Sequence, residues 1–142
     1  MARIKIQLPG NSHGCYQIPV RMTDINYGNH VGNNAIVDII HEARVQFLKE
    51  NNFTELNAGG VGLIMNDLQV EYKNESFYPD VLSVDIFVGE ITKKTFELYY
   101  RLITERDGIV ITIAQAKTGM VCYDYSAKKV VLIPQVLKNI LI

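Results

Sequence analysis

Only one stretch of this chain has the spacing of a long helix, and that restricts the folds open to it. Ile36, Ile40, Ala43 and Phe47 fall at i, i+4, i+7 and i+11, with Ile39 beside them. Val37, His41, Arg44 and Leu48 form a flanking stripe. Apolar residues at this period mark the buried face of an amphipathic helix, here from Asn33 to Asn51. Asn33 or Asn34 can cap its start, and the Asn51-Asn52 pair can end it.

The rest of the chain alternates with period two or reads as turn. Ile4, Ile6 and Leu8 alternate before a break at Pro9 to Ser12. Tyr16, Ile18, Val20 and Met22 read as a half-buried strand, which Pro19 assigns to a sheet edge or a bulge. Further strands are expected over Val61 to Tyr72, around Val84 to Val88, and from Phe96 to Leu102. Asp107-Gly108 is a hairpin signal before Ile109 to Ala116, and Val121 to Tyr125 extends that strand. After a turn at Ser126 to Lys129, Val130 to Ile133 precede a short helix with Pro134 at its first position, ending near Ile142.

One long helix among antiparallel strands is an α+β arrangement, with the helix against one sheet. Such a sheet leaves edge strands open, and pairing two copies edge to edge closes one of them. A homodimer or homotetramer is therefore expected. No repeat or linker divides the sequence, so residues 1–142 are read as one domain.

The chain's balance of residues excludes several functions. Hydrophobic residues make up 48% and charged residues 20%, which is too apolar for disorder. Fourteen basic against fifteen acidic residues leave a net charge of −1, so no nucleic-acid partner is expected. No apolar run reaches the length of a membrane span, and Met1 to Leu8 lack the apolar core of a signal peptide. A soluble cytoplasmic protein is expected. Cys15 and Cys122 lie far apart with no CxxC, which fits free thiols. There is no P-loop, GxGxxG or zinc spacing, so no metal and no bound cofactor are expected.

The segment Thr23 to Asn34 carries the chemistry. It holds Asp24, Asn26, Gly28, Asn29, His30, Gly32, Asn33 and Asn34 immediately before the long helix. A helix start presents unpaired N–H groups and partial positive charge. Asp, Asn and His beside those donors suit attack on a carbonyl, with N–H groups on the oxyanion and a side chain activating water. Glycines 28 and 32 allow a sharp turn or a close backbone approach. The same residues also serve as ordinary turns and caps.

The run Val20-Arg21-Met22-Thr23-Asp24-Ile25-Asn26-Tyr27-Gly28-Asn29-His30-Val31-Gly32-Asn33-Asn34, with His41-Glu42-Ala43-Arg44 after it, resembles the signature of hotdog-fold acyl-CoA thioesterases. The branch resembled is that of 4-hydroxybenzoyl-CoA and acyl-ACP thioesterases, written R-x-x-D-x-D-x-x-G-H-V-N-N with E-A-R following. The resemblance implies a long helix wrapped by a five- or six-stranded antiparallel sheet. It also implies hydrolysis of acyl-CoA or acyl-ACP thioesters. The site it implies has Asp24, Asn26, His30 and Glu42 as catalytic candidates and Tyr27, Gly28, Asn29, Val31, Gly32, Asn33 and Asn34 around the substrate.

One departure bears on mechanism. The family's second Asp, which orients or activates water or acts as nucleophile, falls on Asn26. A neutral amide is neither general base nor carboxylate nucleophile. The base then comes from Asp24, His30 or Glu42, with Asn26 positioning water. A one-residue shift, requiring an insertion, would instead put Asp24 at the catalytic place. The same substitution motivates a second reading, a protein that binds acyl thioesters without cleaving them. A third is a dehydratase acting on a 3-hydroxyacyl thioester. Structural roles compete at several positions: a turn cap for Asp24, an ion pair for Glu42, and packing or interface for His41.

Overall fold

In the computed structural model, which describes residues 3–142, the helical pattern becomes α1, Asn33–Glu50. Met1 and Ala2, at the start of the stretch read for a leader, lie outside the described residues. Strand β1 (Gly14–Pro19) and a 3-10 turn at Met22–Asp24 precede α1. Strands β2 (Gly62–Tyr72), β3 (Val81–Ile91), β4 (Thr95–Arg106), β5 (Ile109–Asp124) and β6 (Lys129–Val130) follow, then helix α2 (Gln135–Leu141). The strands form a six-stranded antiparallel sheet in the order β1-β3-β4-β5-β2, with β6 on β5.

The core lies between α1 and one face of this sheet. From the helix it takes Ala35, Ile36, Ile39, Ile40, Ala43, Phe47 and Leu48. From the sheet it takes Val84 and Ile86 on β3, Leu98, Tyr100 and Leu102 on β4, and Ala114 and Ala116 on β5. Registered pairs such as Val84 with Leu102 share that face because alternate residues of a strand point the same way. Truncating a fully enclosed residue such as Phe47 to Ala is expected to cost about 3–5 kcal/mol.

Local chemistry explains where elements begin and end. The run through Met22 is shorter as a strand than its alternation suggests. Extended pairing stops at Pro19, and the carboxylate of Asp24 accepts the N–H of Arg21 (2.8 Å) to nucleate the 3-10 turn. Helix α1 begins at Asn33 with Gly32 as its cap, so neither asparagine caps it. At the other end the Asn51 amide donates to the Phe47 carbonyl (2.9 Å), and Asn52 takes a left-handed φ of 65°. Asp107 and Gly108, both at positive φ, make the expected tight hairpin. β5 runs unbroken where two pieces were read, and β6, at Lys129–Val130, keeps only Val130 of the strand read from Val130 to Ile133. Pro134 stands at the cap of α2, one place before the expected one.

The alternation at Ile4, Ile6 and Leu8 is not a strand. This segment is tied to the far face of the sheet: the Ile6 N–H donates to Glu71 Oε1 (3.0 Å) and Arg3 donates to the Tyr72 carbonyl (2.9 Å). Ile6 and Phe87 are both buried although neither belongs to the main core. The sheet ends in two unlike edges. β1 is short and closes with Pro19, whereas β2 has eleven residues, several of them exposed.

Candidate active site

The loop between β1 and α1 is held at both ends by Asp24, which is 6% exposed. Its carboxylate accepts the backbone N–H and the guanidinium of Arg21 (2.8 and 3.3 Å), and its carbonyl accepts the N–H of Gly32 (3.0 Å). Between these ties Ile25 and Val31 form an isolated antiparallel bridge. The Asn26 N–H donates to the His30 carbonyl (2.9 Å) and the Asn29 N–H to the Asn26 carbonyl (3.1 Å). The left-handed residue of this small hairpin is Asn29, at φ 64°, and not a glycine. Asn tolerates that conformation because its short polar side chain bonds locally.

The glycines serve close approach. A Cβ on Gly28 would lie 3.3 Å from the His30 ring, and one on Gly32 would lie 2.9 Å from Asn34 Oδ1. The Gly28 N–H donates to Asn26 Oδ1 (2.8 Å). That bond fixes the orientation of the Asn26 amide, whose Nδ2 remains a donor, beside Gly32. Gly32 has no side chain with which to cap α1. The N–H groups of the first helical turn therefore keep the donor capacity and partial positive charge of an uncapped start.

His30 and, from the first turn of α1, Asn33 border a cleft of about 230 Å³. One wall is His30, Val31, Asn33 and Ile36; the other is Tyr72 to Ser76 with Ile113. The walls are tied together. The Val31 N–H donates to the Ser76 carbonyl (2.8 Å) and the Tyr72 hydroxyl donates to the Asn33 carbonyl (3.3 Å). Partial burial raises the Tyr72 phenol above its ordinary value. His30 Nδ1 is 3.2 Å from the Val31 carbonyl, which can only accept, so Nδ1 carries the proton and Nε2 of the neutral ring holds the lone pair. Behind the second wall, the Asp80 carboxylate accepts bonds from Ser76 Oγ, the Phe77 N–H and Arg106. Burial alone would raise its pKa, but those donors outweigh it and hold Asp80 below the ordinary carboxylate value.

The structure thus gathers Asn26, His30, Val31, Gly32 and Asn33 at one helix start. Asn34 is exposed in the same first turn, Asn29 is at the hairpin tip, and Tyr27 is fully exposed. Glu42 does not border this cleft. It accepts a bond from Gln46 (3.1 Å) and faces a groove against β1, shared with Asp24 and Asp38. Tyr72 and Ser76 border the cleft, which the loop motif did not indicate. They reach the cleft through strand register, and no local pattern in the sequence marks them.

A long helix inside a curved antiparallel sheet, with an uncapped helix start at a cleft, defines a hotdog-fold protein of the thioesterase class. The sequence pattern of the Thioesterase-like superfamily matches residues 20–141, and the chain belongs to that family. It is 29% identical over 102 residues to an Aquifex aeolicus protein provisionally named an esterase, covering 70% of this chain and 75% of the relative. Its fold is similar to a 1,4-dihydroxy-2-naphthoyl-CoA thioesterase from Synechocystis (TM-score 0.79, 19% identity, 89% of this chain and 93% of that one). It is also similar to a gentisyl-coenzyme A thioesterase (TM-score 0.78, 21% identity, 91% and 100%). No helix among the described residues is long and apolar enough to cross a membrane.

Proposed function

We propose that this thioester hydrolase cleaves acyl-CoA at the cleft beside the start of α1. The observation that carries this is the glycine-capped helix start facing His30 and Asn26. The N–H groups of the first turn and Asn26 Nδ2 would hold the carbonyl oxygen as it becomes an oxyanion. Water adds to the carbonyl carbon, the C–S bond breaks, and the sulfur leaves as a thiol after taking up a proton. The second product is the free acid. Both carboxylates offered by the sequence are poorly placed for this within one chain. Asp24 is engaged by Arg21, and Glu42 faces the opposite flank of α1. His30 borders the cleft, where it would contact a bound thioester.

The named activities of the structural relatives, on 1,4-dihydroxy-2-naphthoyl-CoA and gentisyl-CoA, support a CoA thioester over one carried by protein. The open, eleven-residue edge β2 supports a homodimer formed by pairing that edge, with each site completed by the second copy.

The test is release of free thiol from benzoyl-CoA, hexanoyl-CoA and palmitoyl-CoA, together with the mass of the protein in solution. Turnover that falls on substitution of His30 or Asn26 supports the reading. Tight binding of these esters without thiol release would favour the non-catalytic reading that Asn26 motivates.

A further inference from the structure

Helix α1 carries a second histidine that packing does not require. His41 Nε2 is 3.2 Å from Glu55 Oε2, and the His41 side chain is 53% exposed. The carboxylate behind it is anchored from below. Arg44 Nε donates to Glu55 Oε1 (2.7 Å), Arg44 Nη1 to the Tyr100 hydroxyl (3.3 Å), and that hydroxyl pairs with Thr118 (2.7 Å). Arg44, Tyr100 and Thr118 are buried. A carboxylate can only accept, so it fixes the imidazole proton on Nε2 and turns the Nδ1 lone pair of the neutral ring away from Glu55. The result is an oriented base on the surface.

Beside it lies an apolar cleft of about 210 Å³, lined by Val37, Ile40, Met65 and Leu68, with Asp38 the other charged group at its rim. Val45 on the next turn of α1, Leu56 next to Glu55, and Met65 are 41%, 77% and 40% exposed. An oriented base ringed by exposed apolar side chains, next to an open sheet edge, suits cover by another sheet edge.

The occupant follows from the direction of β2. The His30 cleft adjoins the Tyr72 end of this strand, and the His41–Glu55 pair adjoins its Met65 end. Along one chain the two are separated by seven positions of strand, about 24 Å at the usual rise. Antiparallel pairing of β2 with the same strand of a second copy reverses one strand against the other. A two-fold axis through the middle of β2 then sets the Tyr72 end of each chain against the Met65 end of its partner.

We propose that the His41–Glu55 pair of one protomer is the general base for the thioester held at His30 and Asn26 of the other. The proposal rests on the thioesterase reading above and names the group that Asn26 cannot supply. His41 Nδ1 takes a proton from water as the oxygen adds to the carbonyl carbon. The imidazolium, steadied by Glu55, returns that proton to the departing sulfur when the C–S bond breaks. Water and thioester give acid and thiol, and His41 returns to its neutral starting state.

The experiment is complementation between two inactive variants of the full chain. His30→Ala and His41→Ala are purified separately, and co-expressed with different tags, and thiol release from benzoyl-CoA and hexanoyl-CoA is measured. Each variant alone is expected to lose at least about 100-fold in kcat. Random pairing makes half the dimers mixed, and each mixed dimer has one intact site, so co-expression is expected to restore about a quarter of wild-type turnover. His41→Gln serves as a second variant, with melting temperature and dimer mass checked for each protein. Glu55→Gln keeps an acceptor for Arg44 and is expected to lower kcat with KM unchanged. Full activity in His41→Ala overturns the proposal, as does an active monomeric wild type. So does the absence of recovery in mixed dimers of two inactive variants. Each of those results leaves the thioesterase reading standing. A dimeric wild type that cleaves none of the esters overturns that reading and this proposal with it.

Discussion

The Tyr72 hydroxyl donates to the Asn33 carbonyl across 3.3 Å, joining the end of the edge strand β2 to the first turn of α1. The contact couples sheet edge and helix start, the two parts of the fold that define the cleft. Tyr72→Phe removes the bond and little else. A single hydrogen bond of this kind is worth about 0.5–1.5 kcal/mol, so only a small drop in melting temperature is expected. Activity should respond more than stability, because the helix start loses its tie to the opposite wall. A several-fold fall in kcat/KM with a nearly unchanged melt would show this; an unchanged kcat/KM would remove Tyr72 from the site.

Asn26 tests whether this chain uses an amide where the family pattern has a carboxylate. Its Oδ1 is engaged by the Gly28 N–H, so the end available to substrate is the Nδ2 donor. Asn26→Asp preserves the turn, since a carboxylate also accepts from Gly28, but replaces that donor with negative charge beside the developing oxyanion. Loss of one oxyanion donor typically costs about 100-fold to 1000-fold in kcat. Steady-state kinetics of Asn26→Asp and Asn26→Ala should both show a fall of this order. A gain in Asn26→Asp would show instead that the position wants a base.

Arg44 lies under the His41–Glu55 pair and is enclosed by Glu55 and Tyr100. Removing Arg44 takes away the buried partner of Glu55, at a cost below the ~3–5 kcal/mol of a fully buried pair because Glu55 keeps contact with solvent and His41. Arg44→Ala should therefore unfold at markedly lower denaturant concentration than the wild type. Arg44→Met, with comparable bulk, should recover only the packing part of that loss. Chemical denaturation of the two variants measures the difference directly.

The motif loop and the helix were legible because their signals are local. The 3.6 period marks α1, and the crowding of Asn, Asp and Gly marks the turn before it. Three features were not legible, each for a physical reason. The cap fell on Gly32, where a Cβ would crowd the Asn34 amide at 2.9 Å, a contact between side chains that spacing does not express. Glu42 turned away from the cleft because its position on α1 directs it toward β1, and a helical position becomes a direction only once the buried face is fixed. Tyr72 and Ser76 reached the cleft through the register of β2 and the return of the chain to β3. Such long-range pairing depends on the whole sheet.

Asp80 gives the cleft wall a dependence on pH. Its carboxylate gathers Ser76, the Phe77 N–H and Arg106, and its carbonyl accepts the Val20 N–H (2.9 Å). Burial opposes the charged form, but the donors prevail and the folded-state pKa lies below the ordinary 3.8. A carboxyl group whose pKa is lowered by folding stabilises the fold above its unfolded value, and the contribution disappears as pH falls through the folded value. Asp80→Asn should therefore be less stable than wild type at neutral pH, by about 1.5–3 kcal/mol for hydrogen bonds to a charged group. The gap should begin to narrow as pH falls toward 3.8, where the unfolded carboxylate takes up its proton, and close once pH passes the lowered folded value. Thermal melts of both proteins across that range read the difference. A gap constant with pH would show that the wall is held by shape and not by the charge of Asp80.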